Sequence, residues 1–308
     1  MTVSAITPEE FGRIFQSEDF EKLYRCASKN FQQLISLEQF IELAVSFNIG
    51  VTYYQIEFKT SLQNLNHYIW LDDRKEKAIA VSFDKRQQIQ SLYLKPFITY
   101  PESDNRFTQN TYSMPIKGEW FVFWGGTNEL INYHYAYESQ RYAYDLVKIQ
   151  DGSSYQNTQI QNEHFYAFDE EIVAPADGKV IKIMNGIKDN IPSEMDAENP
   201  VGNYVIIEHT SKEYSLLAHL KKNSIQVKIG ELVKEGQYIG KCGNSGNSSE
   251  PHLHFQVMDS LDLESGKSLR IRFKDGIEPI QGDTVSNVHE YKDTFDEKFD
   301  KVENTFDN

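Results

Sequence analysis

Two histidines separated by one residue give the strongest chemical signal in this sequence. His252 and His254 stand in the run Pro251-His252-Leu253-His254, directly after the glycine-rich segment GKCGNSGNSSE. Residues two apart on a β-strand face the same side of the sheet. Both imidazoles can therefore converge on one metal ion or one substrate.

Two further residues of ligand type lie in similar strand-like segments. His219 closes the run EYSLLAHL, and Asp145 stands in YAYDLV among apolar neighbours. A buried carboxylate is costly without a partner, and a cation is the natural one. These residues favour a functional centre around the histidine pair.

The elements that must position these residues are short strands. Runs such as EWFVFWG, NYVIIEHT and HLHFQVM follow one another beyond residue 111, and glycine-containing turns separate several of them. This pattern predicts a mainly antiparallel, all-β sandwich or barrel-like domain over residues 112–285. Pro96, Pro101 and the polar run ESDNRFTQN predict a linker over 101–111.

The amino-terminal hundred residues show a different pattern. Thr7 with Glu10, and Ser36 with Gln39, have the form of helix-capping boxes. Apolar residues then recur with period two in VTYYQIEF, HYIWL, AIAVSFD and IQSLYLKPF. Helices followed by an antiparallel meander predict a small α+β domain over residues 1–100. Residues 286–308 read as an acidic tail.

Composition narrows the classes of partner. The 308 residues include 31 Lys and Arg against 46 Asp and Glu, a formal charge of −15, which argues against nucleic-acid binding. Two cysteines fit neither a disulfide framework nor a thiolate zinc site. No basic leader followed by an apolar run is seen, and no apolar stretch of about 18 residues. We expect a chain without transmembrane segments. As the sequence reads, we expect a cytoplasmic protein; the alternative is an extracellular or cell-wall location that the protein reaches by another route.

The order of four segments resembles the lysostaphin/LytM-type zinc metallopeptidases. The segments are APADGKV, NYVIIEHT, YSLLAHL and GELVKEGQYIGKCGNSGNSSEPHLHFQV, and the resemblance covers roughly residues 115–285. In that family a histidine, an aspartate and the second histidine of His-x-His hold zinc. The resemblance implies that Asp145 and His254 are Zn²⁺ ligands, and that His219 and His252 flank the catalytic water, either one serving as general base.

The third ligand departs from the family pattern. The family places a histidine four residues before the aspartate, where this chain has Arg141, and a guanidinium stays protonated and cannot ligate zinc. His134, eleven residues before Asp145, is the nearest substitute, and we expect it to be the third ligand. The alternative is a loop histidine beside a two-ligand, inactive site.

The resemblance implies a zinc metalloendopeptidase that cleaves peptide stems or cross-bridges of bacterial peptidoglycan, or derived peptides. The alternative is a degenerate domain of the same fold that binds peptidoglycan or regulates another hydrolase. A lipoyl-type carrier is disfavoured because Lys179 stands inside a strand-like run instead of at a hairpin tip. By its order of elements, the amino-terminal domain resembles nuclear-transport-factor-2-like accessory domains.

The remaining histidines and the glycines have simpler interpretations. We expect hydrogen-bonded structural roles for His209 and His164, and assign no function to His67 or His289. Gly240, Gly243 and Gly246 lack the Gly-Lys-Ser/Thr context of a phosphate loop, so they are predicted to let the backbone turn tightly before the His-Leu-His strand.

Overall fold

The amino-terminal helices begin at the predicted caps. In the computed structural model, which describes residues 6–62 and 64–287, Ser36 Oγ accepts a hydrogen bond from the Gln39 N–H, and Gln39 Oε1 accepts one from the Ser36 N–H. This reciprocal pair is the predicted capping box. The helices of this unit are α1 (Phe11–Gln16), α2 (Phe20–Arg25), α3 (Lys29–Leu34) and α4 (Leu37–Asn48).

An antiparallel meander follows these helices. It runs in the order β1-β2-β3-β4, and fully buried Trp70 and Phe11 belong to its shared core with the helices, with ring centroids 5.1 Å apart. The strands are β1 (Tyr54–Leu62), β2 (Leu65–Asp72), β3 (Lys77–Phe83) and β4 (Ile89–Pro96). The first of two units in the chain ends at Thr99.

An eight-stranded antiparallel sheet organises the second unit, which starts at Tyr100. Its order is β12-β9-β10-β11-β14-β7-β6-β16; β13 pairs antiparallel with β8, and β15 pairs parallel with β5. The α+β and all-β fold classes predicted from the sequence are thereby confirmed. The elements are α5 (Pro101–Asp104), β5 (Phe107–Tyr112), β6 (Trp120–Trp124), β7 (Tyr144–Val147), β8 (Glu171–Val173), β9 (Gly178–Met184), β10 (Asn203–Glu208), β11 (Tyr214–Leu220), β12 (Leu232–Val233), β13 (Tyr238–Lys241), β14 (Leu253–Met258), β15 (Arg270–Phe273) and β16 (Thr284–Val285).

The two faces of the large sheet have different roles. Leu253, Phe255 and Leu146 are fully buried in the main core of the unit. Side chains alternate along a strand, so His254 of β14 and Asp145 of β7 lie on the opposite face. The apolar face therefore anchors the strands that carry the ligand-type residues.

Residues 101–111 are not a linker. They contain α5 and most of β5, whose side chains and backbone meet the buried carboxylate of Glu213. The Asn110 N–H and its side-chain amide both donate to this carboxylate, and Tyr112 is fully buried. The polar residues that suggested a linker instead satisfy an acceptor about a hundred positions later in the chain. Beyond residue 287, the predicted acidic tail and His289 lie outside the described residues.

Cys26 and Cys242 are both buried, and neither forms a disulfide. Across residues 6–62 and 64–287, no helix has the length and apolar character that crossing a bilayer requires.

Candidate metal centre

Strand register brings Asp145 and His254 together. The two residues are direct partners across the antiparallel pair β7–β14, and His254 Nδ1 lies 2.9 Å from Asp145 Oδ1. Directly paired residues project to the same face of a sheet. Two of the predicted ligand residues are therefore adjacent because of backbone pairing alone.

His134 reaches the same point from a loop. The connection between β6 and β7 folds back through a 3₁₀ turn at Tyr133–Ala136, and His134 is fully buried there. Its Nε2 atom lies 3.6 Å from Asp145 Oδ2. One nitrogen from each of His134 and His254 and one oxygen of Asp145 lie within 4.8 Å of one another. The structure thus brings together the three predicted ligand residues.

Asn132 determines which nitrogen His134 presents. The Asn132 amide group donates to the carbonyl oxygens of Gly126, Arg141 and Ala143, at 3.1, 3.3 and 3.1 Å. Its Oδ1 atom then faces His134 Nδ1 at 2.9 Å, so this nitrogen carries the proton. The opposite nitrogen, Nε2, is buried and without a hydrogen-bond partner.

Gln256 determines that His254 presents its other ring nitrogen, Nδ1, to Asp145. The Gln256 amide group donates to the Ser139 carbonyl, which leaves Oε1 to accept from His254 Nε2 at 2.9 Å. Nδ1 is therefore the His254 nitrogen that faces Asp145, and although burial opposes it, the hydrogen bond to this carboxylate raises the pKa of His254. The two imidazoles present different nitrogens to the same carboxylate.

A β-bulge turns His219 toward this cluster. Between β10 and β11 the register shifts so that Ala218 and His219 together oppose Tyr204, and His219 has φ of +60°. Regular alternation would point His219 to the same face as Leu217, which lies in the core. The left-handed residue brings its ring instead to within 4.7 Å of the His252 ring, centroid to centroid.

Backbone carbonyls hold both of these histidines. His219 Nδ1 lies 2.8 Å from the Ser245 carbonyl, and His252 Nδ1 lies 2.8 Å from the Glu250 carbonyl. A carbonyl can only accept, so each Nδ1 carries a proton and each Nε2 is free to act as a base. His252 Nε2 lies 3.7 Å from Asp145 Oδ1, so this histidine also faces the centre.

Burial and mutual charge set the protonation states. Burial lowers the pKa of His134 to about 3, and the neighbouring histidines add to this effect. Burial also lowers the pKa of His219 well below its usual value, together with the charges of His252 and His254. Although burial opposes its ionisation, the surrounding histidines lower the pKa of Asp145. A neutral imidazole beside an ionised carboxylate is the protonation state that binds metal.

The donor chemistry of this cluster fits a metal ion. Two imidazole nitrogens and a carboxylate oxygen are a ligand set typical of divalent transition metals. The buried, unpartnered Nε2 of His134 lacks any protein group to satisfy it. A cation between His134, Asp145 and His254 would satisfy this atom and balance the buried carboxylate.

A cleft of about 510 Å³ opens beside the cluster. His219 and His254 contribute to its lining, together with Tyr133 from the β6–β7 loop, Val201 before β10 and Leu263 after β14. A ligand in this cleft would therefore contact His219, one of the two histidines held by backbone carbonyls, and His254, one of the three residues of the metal-type cluster.

Arg141, which occupies the usual ligand position of the family, has a packing role. Its guanidinium carbon lies 3.7 Å from the centre of the Tyr100 ring, and its Nε donates to the Tyr135 carbonyl at 2.9 Å. The residue is buried. These contacts help to shape the loop that carries His134.

The other described histidines have partners elsewhere. His209 lies 2.8 Å from both the Asp177 carbonyl and Ser215 Oγ, His164 contacts the Thr158 carbonyl, and His67 contacts Ser82. None of the three belongs to the metal-type cluster within the described ranges.

Sequence reasoning missed Asn132 and Gln256. The available signal was their spacing, because each stands two residues from a predicted ligand. Gln256 follows His254 by two positions on one strand and so shares its face.

The carboxy-terminal part of the chain is similar to known peptidases. Residues 162–268 match the model of peptidase family M23, a segment that contains His219, His252 and His254. An uncharacterized metalloprotease of Buchnera aphidicola is 34% identical over 102 residues, which cover 33% of this chain and 26% of that protein. The peptidoglycan DD-endopeptidase ShyB of Vibrio cholerae is 49% identical over 76 residues, 22% of this chain and 17% of ShyB.

A third relative is lysostaphin of Staphylococcus simulans, which is 45% identical over 58 residues, 18% of this chain and 11% of lysostaphin. The chain thus spans about a quarter or less of the length of these relatives. The predicted lysostaphin/LytM-type resemblance is confirmed: residues 162–268 match peptidase family M23, and the relatives of the carboxy-terminal region include lysostaphin and a peptidoglycan DD-endopeptidase.

Proposed function

We propose that this chain is a zinc-dependent metalloendopeptidase that cleaves peptide bonds in bacterial peptidoglycan stems or cross-bridges. The observation that carries the proposal is the convergence of one nitrogen each of His134 and His254 and one oxygen of Asp145 within 4.8 Å, with His134 Nε2 buried and without a hydrogen-bond partner. The match to peptidase family M23 supports the reaction class.

Under this proposal, His134, Asp145 and His254 hold the zinc ion. Three protein ligands leave one position of a tetrahedral ion open, which is typical of catalytic and not of structural zinc. When bound, zinc supplies Lewis acidity, polarising a scissile carbonyl and lowering the pKa of water toward about 7.

The proposed work of His219 and His252 is proton transfer. Each ring donates its Nδ1 proton to a backbone carbonyl, so each has an unprotonated Nε2 while neutral. One Nε2 can take a proton from water attacking the substrate, and the other ring, once protonated, can stabilise the oxyanion and protonate the leaving amine. The carbonyls of Ser245 and Glu250 stabilise the resulting imidazolium ions.

The proposed substrate class comes from the relatives and the cleft. ShyB is a peptidoglycan DD-endopeptidase. The cleft of about 510 Å³ beside His219 and His254 is large enough for a short peptide segment. Peptide stems or cross-bridges of peptidoglycan are therefore the substrates to test first.

The alternative is a degenerate domain that binds peptidoglycan without cutting it. A missing third ligand would support that hypothesis. His134 lies 3.6 Å from the Asp145 carboxylate, so its position favours the enzyme.

Metal analysis combined with product analysis tests the proposal. Purified protein should contain about one zinc per chain, and mass spectrometry should detect cleaved muropeptides after incubation. His134→Ala should lose both properties. His164→Ala is the matched control, because that ring hydrogen-bonds elsewhere, and it should retain both. Zinc-loaded protein that binds muropeptides but leaves them intact would favour the degenerate domain.

A further inference from the structure

We propose that Asn132 is a positioning residue that raises metal affinity by holding His134 in the tautomer and orientation that present Nε2 to the metal. The inference rests on the proposed metal site and extends it to a residue outside the ligand set. It concerns the part of the centre in which this chain departs from its family, where Arg141 stands at the usual ligand position.

All hydrogen bonds that the Asn132 amide group donates go to carbonyls of the β6–β7 loop. The side chain is fully buried, and its amide group faces the three carbonyl oxygens of Gly126, Arg141 and Ala143. These carbonyls come from both ends of the β6–β7 connection. Asn132 therefore ties the two ends of the loop together around His134.

The same side chain contacts His134 twice. Asn132 Oδ1 accepts from the His134 backbone N–H at 3.2 Å and faces the ring Nδ1 at 2.9 Å. The first contact caps the 3₁₀ turn, and the second fixes the tautomer. Backbone position and ring orientation of His134 are thus set by one oxygen atom.

Neither aspartate nor leucine reproduces this arrangement. Aspartate keeps the acceptor for His134 but would place carboxylate oxygens against three carbonyl oxygens. Leucine has a similar volume, yet it would leave the three carbonyls and the His134 Nδ1 proton without partners in a buried site. An amide supplies donors on one side and an acceptor on the other.

Removal of Asn132 should weaken zinc binding without removing a ligand. The ring of His134 would lose the acceptor that selects its tautomer and could rotate away from Asp145. Loss of such outer partners of a ligating histidine typically costs 10- to 100-fold in metal affinity. We expect Asn132→Ala to lower zinc affinity by about this factor.

A double-mutant cycle separates positioning from general destabilisation. Zinc affinity is measured by competition with a chromogenic chelator for wild type, Asn132→Ala, His134→Ala and the double variant. If Asn132 acts through His134, its substitution should no longer change affinity once His134 is absent. Asn203→Ala is the control, since Asn203 is also fully buried and donates to two carbonyls, and it should leave zinc affinity unchanged.

A second measurement needs no metal. Imidazole ¹⁵N chemical shifts of metal-free protein should show the His134 proton on Nδ1 in the wild type, and mixed tautomers in Asn132→Ala. Should that variant fail to fold, Asn132→Ser takes its place in the same cycle, because its shorter side chain cannot reach both the carbonyls and the ring.

Several results would overturn the inference. Unchanged zinc affinity in Asn132→Ala would do so, as would an equal loss of affinity with and without His134. An Nε2 proton on wild-type His134 would also contradict it. If the wild type itself bound no zinc, the metal-site proposal would fail, whereas zinc-binding wild type with an unaffected Asn132 variant would overturn this inference alone.

Discussion

His254 and Asp145 face each other across two antiparallel strands, with the imidazole Nδ1 2.9 Å from the carboxylate Oδ1. Their contact depends on the register of β7 and β14, both of which are buried along their whole length. A slip of one residue would turn His254 to the other face of the sheet. Sheet packing therefore maintains this half of the proposed metal site, while a loop supplies the other half.

Substitution of Asp145 should abolish most metal binding. Asp145→Ala removes the only carboxylate of the proposed ligand set, which leaves two neutral imidazoles with no negative charge to balance the ion. We expect zinc content to fall from about one to well below half an ion per chain, as measured by elemental analysis after gel filtration.

A surface aspartate provides the matched control for that experiment. Asp177 forms an exposed ion pair with Lys234 and lies outside the proposed ligand set. Asp177→Ala should retain wild-type zinc content. Full zinc content in Asp145→Ala would show that the ligand assignment is wrong.

Substitution of His219 or His252 should separate catalysis from metal binding. His219→Ala and His252→Ala should retain zinc, because neither belongs to the proposed ligand set, but lose roughly two to four orders of magnitude in peptide turnover. Parallel measurement of zinc content and turnover checks this expectation. Loss of zinc in either variant while His254→Ala kept it would invert the proposed division of roles.

Strand positions in the second unit could be predicted from sequence because period-two patterns and residue spacing are local signals. The sharing of a face by His252 and His254 follows from spacing alone, and so does a strand environment for Asp145. The position of His134 could only be expected from family resemblance. It depends on how Asn132 ties the β6–β7 loop together, and hydrophobic periodicity does not predict the geometry of a loop.

Two features lay beyond the reach of sequence reasoning for different physical reasons. The polar run before Tyr112 resembles a linker because its partner, Glu213, is distant in sequence and only folding brings them together. Strand alternation places His219 on the core face, and the bulge that reverses this orientation depends on pairing with β10. Tertiary contacts override the local pattern in both cases.

The left-handed backbone at His219 predicts an unusual order of stabilities. With φ of +60°, an alanine at this position keeps the steric cost of the left-handed region, whereas glycine does not. We expect His219→Gly to be more stable than His219→Ala by about 1 kcal/mol in denaturant unfolding. At neighbouring Ala218, which lies in a buried cluster, glycine should instead destabilise the strand. A less stable His219→Gly would mean that this bulge is absent in solution.

Gly202 should be essential for the position of the Ser245 carbonyl, which holds His219. A Cβ at Gly202 would overlap this carbonyl oxygen, and Gly202 has φ of +63°. Gly202→Ala should therefore suffer both backbone strain and a clash with Ser245. We expect lower turnover at retained zinc content, because the displaced carbonyl no longer fixes the His219 ring.

A substitution at Gly230 distinguishes the cost of backbone strain from the cost of a steric clash. Gly230 also has a positive φ, +89°, but there is open space where a Cβ would be. Gly230→Ala should cost about 1 kcal/mol from strain alone. Gly202→Ala should cost roughly a further 1–3 kcal/mol from overpacking. Denaturant unfolding and turnover of both variants test this, and equal effects at the two sites would refute the role assigned to the Ser245 contact.

The boundary of the second unit predicts different behaviour for two fragments. We expect residues 100–287 to fold and bind zinc, because this fragment keeps β5 paired with β15 and all proposed ligands. Four donors contact the Glu213 carboxylate: the backbone N–H of Gln109, the backbone and side-chain N–H groups of Asn110, and the Tyr112 hydroxyl. A fragment that starts at residue 112 retains only the last of these four.

Glu213 is only 3% exposed in the complete unit, where these donors satisfy its carboxylate. Hydrogen bonds to a charged group contribute about 1.5–3 kcal/mol each, and three of them approach the whole stability of a typical domain, about 5–15 kcal/mol. The shorter fragment should therefore be insoluble or unfolded, while the longer one shows a cooperative thermal transition and about one zinc per chain. Circular dichroism and elemental analysis of both fragments test this. A stable, zinc-binding 112–287 fragment would show that β5 contributes little and that the core is complete without it.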